Sequence, residues 1–558
     1  MDGSIASFSS LLATAGTRVG GTGILPITTV EGALAPGNSI GTIIVQDRLV
    51  FAPGSTYEVE VSPVNADRTN VVAGLFGNGN ADLSGAQVVT TYGPGTYVKK
   101  EHVILSTAGG LDDTRFAGLS SANLPAGVAQ SLRYDANNVY LTINLGALAG
   151  LNSNAQAVQN AINRYFETNP LPGAFLGLGG LQLSHLAGDL GAAATGAGFA
   201  GGSAFVAMIA APGADGEDGT GGSVSELGYA MTSASGTASA ERFGRLSYGA
   251  EELAGGAAGG TRAMHLQHRL DAGFGEGGRP RTERYTVWGA ALGGGISLAA
   301  DPVVGSLGVT GSTVGLASGF DLSDGMTRAG VALGASWSSS SLAGGVGSAH
   351  VGNFNAGVRA SHDFGRAYIA GALAYGLHPT AISRSFGGET YSAAFLGQSV
   401  SARAEAGWRF RTAAVDVAPF LAGRVVSFST PAYAETGSGA GTFALAYNAA
   451  TAIESRSELG IRLNKSFDSG DGGRTTLSGM LGWAHYFSRG RTVTAGFTSL
   501  PGTQFVTQGA AGASDTALVS VGVRHRFANG LGLSLDADGE FGAGLTGYSA
   551  RGRVNWSW

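Results

Sequence analysis

Gly547-Tyr548-Ser549-Ala550-Arg551-Gly552-Arg553-Val554-Asn555-Trp556-Ser557-Trp558 closes the chain. Read with period two, Tyr548, Ala550, Gly552, Val554, Trp556 and Trp558 share one face. Ser549, Arg551, Arg553, Asn555 and Ser557 share the other. Such a strand offers one face to an apolar medium and one to water. A soluble sandwich provides that, with the Trp pair in its core. A membrane barrel also does, with lipid on the apolar face, aromatics at the interface and a hydrated lumen on the polar face. On these residues alone the soluble strand is the simpler reading. The rest of the C-terminal half reverses it.

From Tyr285 onward the period-two signal is sustained in twelve segments: 285–294, 311–320, 328–338, 350–362, 366–376, 397–411, 413–428, 453–467, 474–487, 514–527, 530–541 and 547–558. Phe364-Gly365-Arg366 and Ala528-Asn529-Gly530 are tight connections, and Asn-Gly is a strong hairpin signal. Residues 376–396 and 487–513 read as long connections. An even strand count with short turns at one end and long loops at the other is barrel grammar. The faces decide between the two environments. Leu531, Leu533, Leu535 and Phe541 stand opposite Asp536, Asp538 and Glu540. Val400, Ala402, Ala404 and Trp408 stand opposite Arg403, Glu405 and Arg409, and Leu459, Ile461 and Leu463 stand opposite Glu454, Arg456, Glu458 and Arg462. Charges this dense inside a sandwich core would each cost several kcal/mol if unpaired. Along a lumen they can pair across strands. The acidic row Asp536, Asp538 and Glu540 is expected between Arg524/Arg526 and Arg551/Arg553, forming a charge ladder on one wall with Arg403 and Glu405 on another strand.

Composition agrees. Of 558 residues 95 are Gly, with 13% charged residues and no Cys. No run of 18 apolar residues occurs, which leaves no transmembrane helix by length but is silent about a barrel. The net charge of −6 argues against a nucleic-acid partner. Met1-Asp2-Gly3-Ser4 lacks a basic n-region and an apolar h-region, so no signal peptide is visible.

The N-terminal half divides by pattern into four segments. Residues 1–20 read as a disordered or truncated start. Residues 21–150 repeat short strands and Gly turns, such as Thr42-Ile43-Ile44-Val45, Tyr57-Glu58-Val59-Glu60-Val61 and Asn138-Val139-Tyr140-Leu141. Stacked rungs of a parallel β-helix have that grammar. Residues 151–212 turn helical, and 213–281 read as a flexible Gly/Ser/Ala linker with one short helix candidate, 261–271.

With its barrel the chain resembles a type V secretion autotransporter. The resemblance rests on Gly32 to Ile44 followed by Leu49 to Val61, and on Tyr134-Asp135-Ala136-Asn137-Asn138-Val139-Tyr140-Leu141. In the barrel it rests on Glu405-Ala406-Gly407-Trp408-Arg409-Phe410, Ala418-Pro419-Phe420, Ser457-Glu458-Leu459-Gly460-Ile461-Arg462 and Leu481-Gly482-Trp483-Ala484-His485, in that order. The resemblance implies an all-β chain: a C-terminal twelve-stranded transmembrane β-barrel (282–558) with an α-helical pore segment, preceded by the end of a β-helical passenger. It implies that Val554, Trp556 and Trp558 form the outer-membrane assembly signal read by barrel-assembly machinery and periplasmic chaperones. The barrel is expected to be monomeric in outer-membrane lipid, with the passenger at the cell surface. A pore helix needs roughly 20 residues to cross about 30 Å. Residues 184–211, rich in Ala and Gly, fit better than 261–274. Self-cleaving relatives carry paired Asn in the pore segment. None stands in 184–211, and Asn137-Asn138 has a strand context.

Other motifs have plainer readings. Gly37-Asn38-Ser39-Ile40-Gly41 matches a nucleophile elbow, but a strand rather than a helix follows it. Gly196-Ala197-Gly198-Phe199-Ala200-Gly201 matches a dinucleotide fingerprint, yet lacks the preceding strand and the following acid. At this Gly content, about two or three such matches arise by chance. His265 and His268 have no third metal ligand in view. His485 reads as interfacial or lumenal. No cofactor, metal or catalytic set is expected, and the chain is read as no enzyme. Alternatives are a surface adhesin, a passenger enzyme active upstream of Met1, or a simple porin.

Overall fold

The computed structural model describes residues 2–558 except 211–283 and positions 8, 96, 98, 99, 126, 147, 413, 471 and 490. The expected linker 213–281, the helix candidates 261–271 and 261–274, His265 and His268 thus lie outside the described residues.

Residues 11–145 wind as a parallel β-helix of three sheets. Alternate residues point inward, so equivalent positions stack from rung to rung. Leu34 lies beside Tyr57 and Tyr57 beside Val88, all fully buried. The helix begins earlier than the sequence reading placed it. Leu11–Ala13 pairs in parallel with Thr28–Val30, and Arg18–Gly21 with Ala33–Pro36. Strands of three and four residues carry too little periodicity to be seen without their neighbours. At the far end the parallel stack is closed by a hairpin. Val128–Tyr134 and Asn138–Leu145 pair antiparallel, and the second strand runs antiparallel to Glu101–Thr107. Asn137-Asn138 forms the hairpin turn, where Asp135 Oδ1 accepts both backbone N–H groups at 2.8 and 2.7 Å.

Among the described residues three α-helices follow: α1 (Ser153–Phe166), α2 (Gly180–Leu186) and α3 (Asp189–Ala210), with a 3-10 turn at Gly173–Phe175 between the first two. The single helix expected over 184–211 is therefore broken. Gly188 sits at φ +85, where Tyr447 Oη would be 2.9 Å from an added Cβ, and this left-handed residue separates α2 from α3. The 22 residues of α3 span about 33 Å, enough for the lumen.

The barrel strands are β1 (Arg284–Leu298), β2 (Val309–Ser323), β3 (Thr327–Leu342), β4 (Gly347–Phe364), β5 (Ala367–Phe386), β6 (Glu389–Trp408), β7 (Asp416–Thr430), β8 (Ala450–Asp468), β9 (Arg474–Arg489), β10 (Asp515–Arg526), β11 (Leu531–Gly542) and β12 (Leu545–Ser557). Each expected segment corresponds to one strand. All neighbours are antiparallel, and β12 closes on β1 from Thr286↔Ser557 to Leu298↔Leu545. Both long connections are corrected. Residues 376–396 are the continuing arms of β5 and β6, joined at Gly387-Gly388 with φ +60 and +82. Twenty residues at about 3.4 Å each carry these arms well beyond a core of about 30 Å. Pro379 obscured them, since it has no N–H for the ladder. Pairing of β4 with β5 skips there, between Val351↔Thr380 and Phe354↔Leu377. Residues 487–513 contain two strands, Thr492–Phe497 and Phe505–Gln508, which join Tyr433–Ala434 and Leu445–Tyr447 in a small sheet over the long-loop mouth.

Candidate functional site in the barrel lumen

The α3 helix enters at the long-loop mouth, where Asp189 Oδ2 accepts the Leu307 N–H at 3.0 Å. It leaves at the short-turn mouth, where Arg359 Nη1 donates to Ile209 O at 3.3 Å. Small residues let it lie close to the wall. A Cβ at Gly198 would stand 2.1 Å from the Phe428 ring. One at Gly201 would stand 2.1 Å from Asn353 Oδ1, and one at Gly202 would meet Ser401 and Ser399 Oγ at 2.9 and 3.1 Å. Conversely, Phe205 fills the space above Gly334 and Gly357. Beneath Gly201 and Gly202 lies a buried polar socket. His378 bridges Asn353 Oδ1 at 2.9 Å and Ser399 Oγ at 2.7 Å. Nothing in the strand pattern marked these residues, because their partners come from β4, β5 and β6 together.

The remaining wall carries charge. Arg403 grips Glu458 with two bonds of 2.7 Å and reaches Glu405 at 3.1 Å. Arg462 also clasps Glu405, one bond being 2.9 Å, while Tyr368 Oη donates to that carboxylate at 2.8 Å. Arg456 binds Glu458 at 2.8 Å and reaches Glu540 at 3.4 Å, and Tyr486 and Thr516 donate to Glu540 at 2.9 and 2.8 Å. Arg424 pairs with Glu454 at 3.1 Å. Bidentate, multiply bonded pairs of this kind offset the desolvation of buried ions.

The expected ladder is thus redistributed. Of the β10–β12 charges, Arg551 meets Asp536 at 2.9 Å. Asp538 takes a hydroxyl bond from Ser549 at 3.5 Å, and Glu540 turns to Arg456 on β8. Arg553 lies 4.3 Å over the Trp288 ring. Arg524 and Arg526 do not flank the acids. Register from the Asn529-Gly530 turn sets them opposite Ser534 and Gly532, while Asp536 faces Gly522. Arg403 and Glu405 belong to a larger network centred on β6 and β8, whose Arg456, Glu458 and Arg462 were visible only as one face of a strand.

Outside, the terminal strand faces as its alternation requires: Trp556 is 57% exposed and Asn555 8%. Val554 and Trp558 share the outer face. Trp558 stacks on Tyr285 with centroids 6.1 Å apart and lies tilted at 46° beside Trp556, 5.5 Å away, at the short-turn mouth. His485 joins this outer surface near the other mouth, with Nδ1 2.8 Å from Asp515 Oδ1. The remaining motifs sit as structure. Gly37 to Gly41 is a β-helix turn between Ala33–Pro36 and Thr42–Gln46, and Gly196 to Gly201 is mid-helix in α3. Among the described residues no cluster of three His, Asp or Glu able to hold a metal occurs.

Residues 287–538 match the family model of the autotransporter beta-domain. The chain carries an autotransporter β-domain. Solved structures similar to this chain include the translocator domain of NalP from Neisseria meningitidis, at 20% identity over 53% of this chain and 95% of that one, TM-score 0.41. The beta domain of the Bordetella autotransporter Brka is similar at 16% identity over 49% and 99%, TM-score 0.39. The transport unit of AIDA-I from Escherichia coli is similar at 12% over 54% and 98%, TM-score 0.34. No curated protein matches the chain. The family places the barrel in the outer membrane.

Proposed function

We propose that this outer-membrane autotransporter anchors, exports and displays a β-helical passenger whose C-terminal part is residues 21–150. The reading rests above all on the path of α3. It joins a β-helix beyond the long-loop mouth to the short-turn mouth, where β1 also begins. In this reading 151–212 is the segment drawn through the pore, and 213–281 links its end to the first strand. Barrel-assembly machinery and periplasmic chaperones receive the chain through Val554, Trp556 and Trp558. The lumenal charges, Arg524, Arg526, Asp536, Asp538, Glu540, Arg551, Arg553, Arg403 and Glu405 among them, serve wall packing rather than ion selectivity.

Export is driven by folding outside. The hairpin-capped rungs up to Leu145 reach the surface early and provide the edge on which earlier rungs stack. Deletion of residues 20–145 from the full chain abolishes surface exposure of an N-terminal epitope, scored by antibody labelling of intact cells. Unchanged labelling refutes this driving role.

A further inference from the structure

The long-loop mouth is occupied by a segment of its own chain. At the start of α1, Ser153 and Asn154 donate their backbone N–H groups to Val303 O at 3.2 Å and Val304 O at 2.9 Å in the β1–β2 loop. The Asn154 side chain is 1% exposed and pairs with the Gln508 backbone as another strand would. Its Nδ2 donates to Gln508 O at 2.8 Å, and its Oδ1 accepts from Gln508 N at 3.0 Å. Phe175 then inserts between Phe443 and Phe497 of the two longest loops, with centroids 4.9 and 5.0 Å away. One apolar core runs without a break from the β-helix through α1 and Phe175 to Phe497. The hydrogen bonds and ring contacts lie outside the lumen and involve no residue of the connector from Leu176 to Gly188, whose Leu183, Leu186 and Ala187 add to the same apolar core.

We infer that the mouth loops are a receptor for residues 152–175, which holds the β-helical segment on the barrel without a covalent link. The inference rests on the display reading above. Its physical basis is the cost of undocking, which would bare three Phe rings and leave the Gln508 N–H and C=O without their amide partner. A buried aromatic anchor beside a fully paired polar group is the usual make-up of a strong interface centre. A passenger cut at the connector therefore remains seated.

The test is a site-specific protease sequence inserted after Leu178 in the full chain. In detergent, the cut fragment containing residues 1–178 co-elutes with the barrel on size exclusion. Separate elution overturns the inference. The cut Asn154→Ala/Phe175→Ala variant loses at least tenfold of the co-eluting fragment while its barrel keeps its heat-modifiable gel shift. Equal co-elution of that variant overturns the assignment to these residues. On intact cells, added protease cuts the site and the fragment sediments with the cells. If the site is cut in lysates but not on cells, the display reading fails, and the detergent result alone judges the docking.

Discussion

Glu405 and Arg462 lie at the centre of the lumenal network, both nearly inaccessible. Glu405→Leu strands Arg462, and losing one partner of a buried pair costs about 3–5 kcal/mol. The temperature at which the folded gel band converts to the unfolded one falls accordingly, and the double variant Glu405→Leu/Arg462→Met regains most of it. A fall in the double variant equal to that in the single one would show that the pair's partners do not matter. Asp67 is a second informative residue, outside the membrane. Its Oδ1 accepts the Gly41 N–H at 2.7 Å and its Oδ2 the Glu60 N–H at 2.8 Å, yet burial outweighs both donors and pushes its pKa up to about 6. A carboxyl raised by folding prefers to be protonated in the fold. Its stabilising contribution is complete below the ordinary range near 4 and is lost as pH rises through about 6. Hydrogen exchange under urea, corrected for intrinsic rates, shows greater protection of residues 11–145 at pH 5 than at pH 7, and Asp67→Asn flattens the difference.

At the scale of elements, α3 sets helix propensity against fit. Gly198→Ala improves helix propensity by up to about 1 kcal/mol. Its methyl, however, would stand 2.1 Å from the Phe428 ring. Overpacking of this kind costs about 1–3 kcal/mol, so fit wins and the helix is unseated. Single-channel recordings show more frequent opening for Gly198→Ala, and Phe428→Ala on top of it restores the closed trace. The strands follow a different logic. Each barrel strand was legible because lipid and lumen enforce alternation on every one. The arms beyond Gly376 and before Gly397 were not, because Pro379 interrupts the pattern. The break at Gly188 was equally hidden, since a Gly in an Ala-Gly helix marks nothing until Tyr447 presses on it.

Across the whole molecule the lumen is divided between two fillings. The helix covers the wall made by β3 to β7, while ionised side chains knit β6 to β12. Removing residues 184–211 therefore opens a pore narrower than an empty barrel of twelve strands would have. Planar-bilayer conductance of the deletion exceeds that of the full chain. Equal conductance would mean that the charges alone seal the lumen.

By itself the sequence determined the architecture: twelve alternating strands with charges on one face and lipid-compatible residues on the other, a Gly/Ala helix long enough for the pore, and β-helical rungs before it. Those features repeat along the chain, and a period-two or helical pattern shows through local spacing alone. Tertiary structure decided the pairings. Arg403 with Glu458, Glu540 with Arg456, Asn154 with Gln508 and Phe175 between Phe443 and Phe497 join residues 55, 84, 354 and hundreds of positions apart. Barrel closure, the stagger of each hairpin and the fold of the mouth loops bring them together. No local pattern encodes those distances.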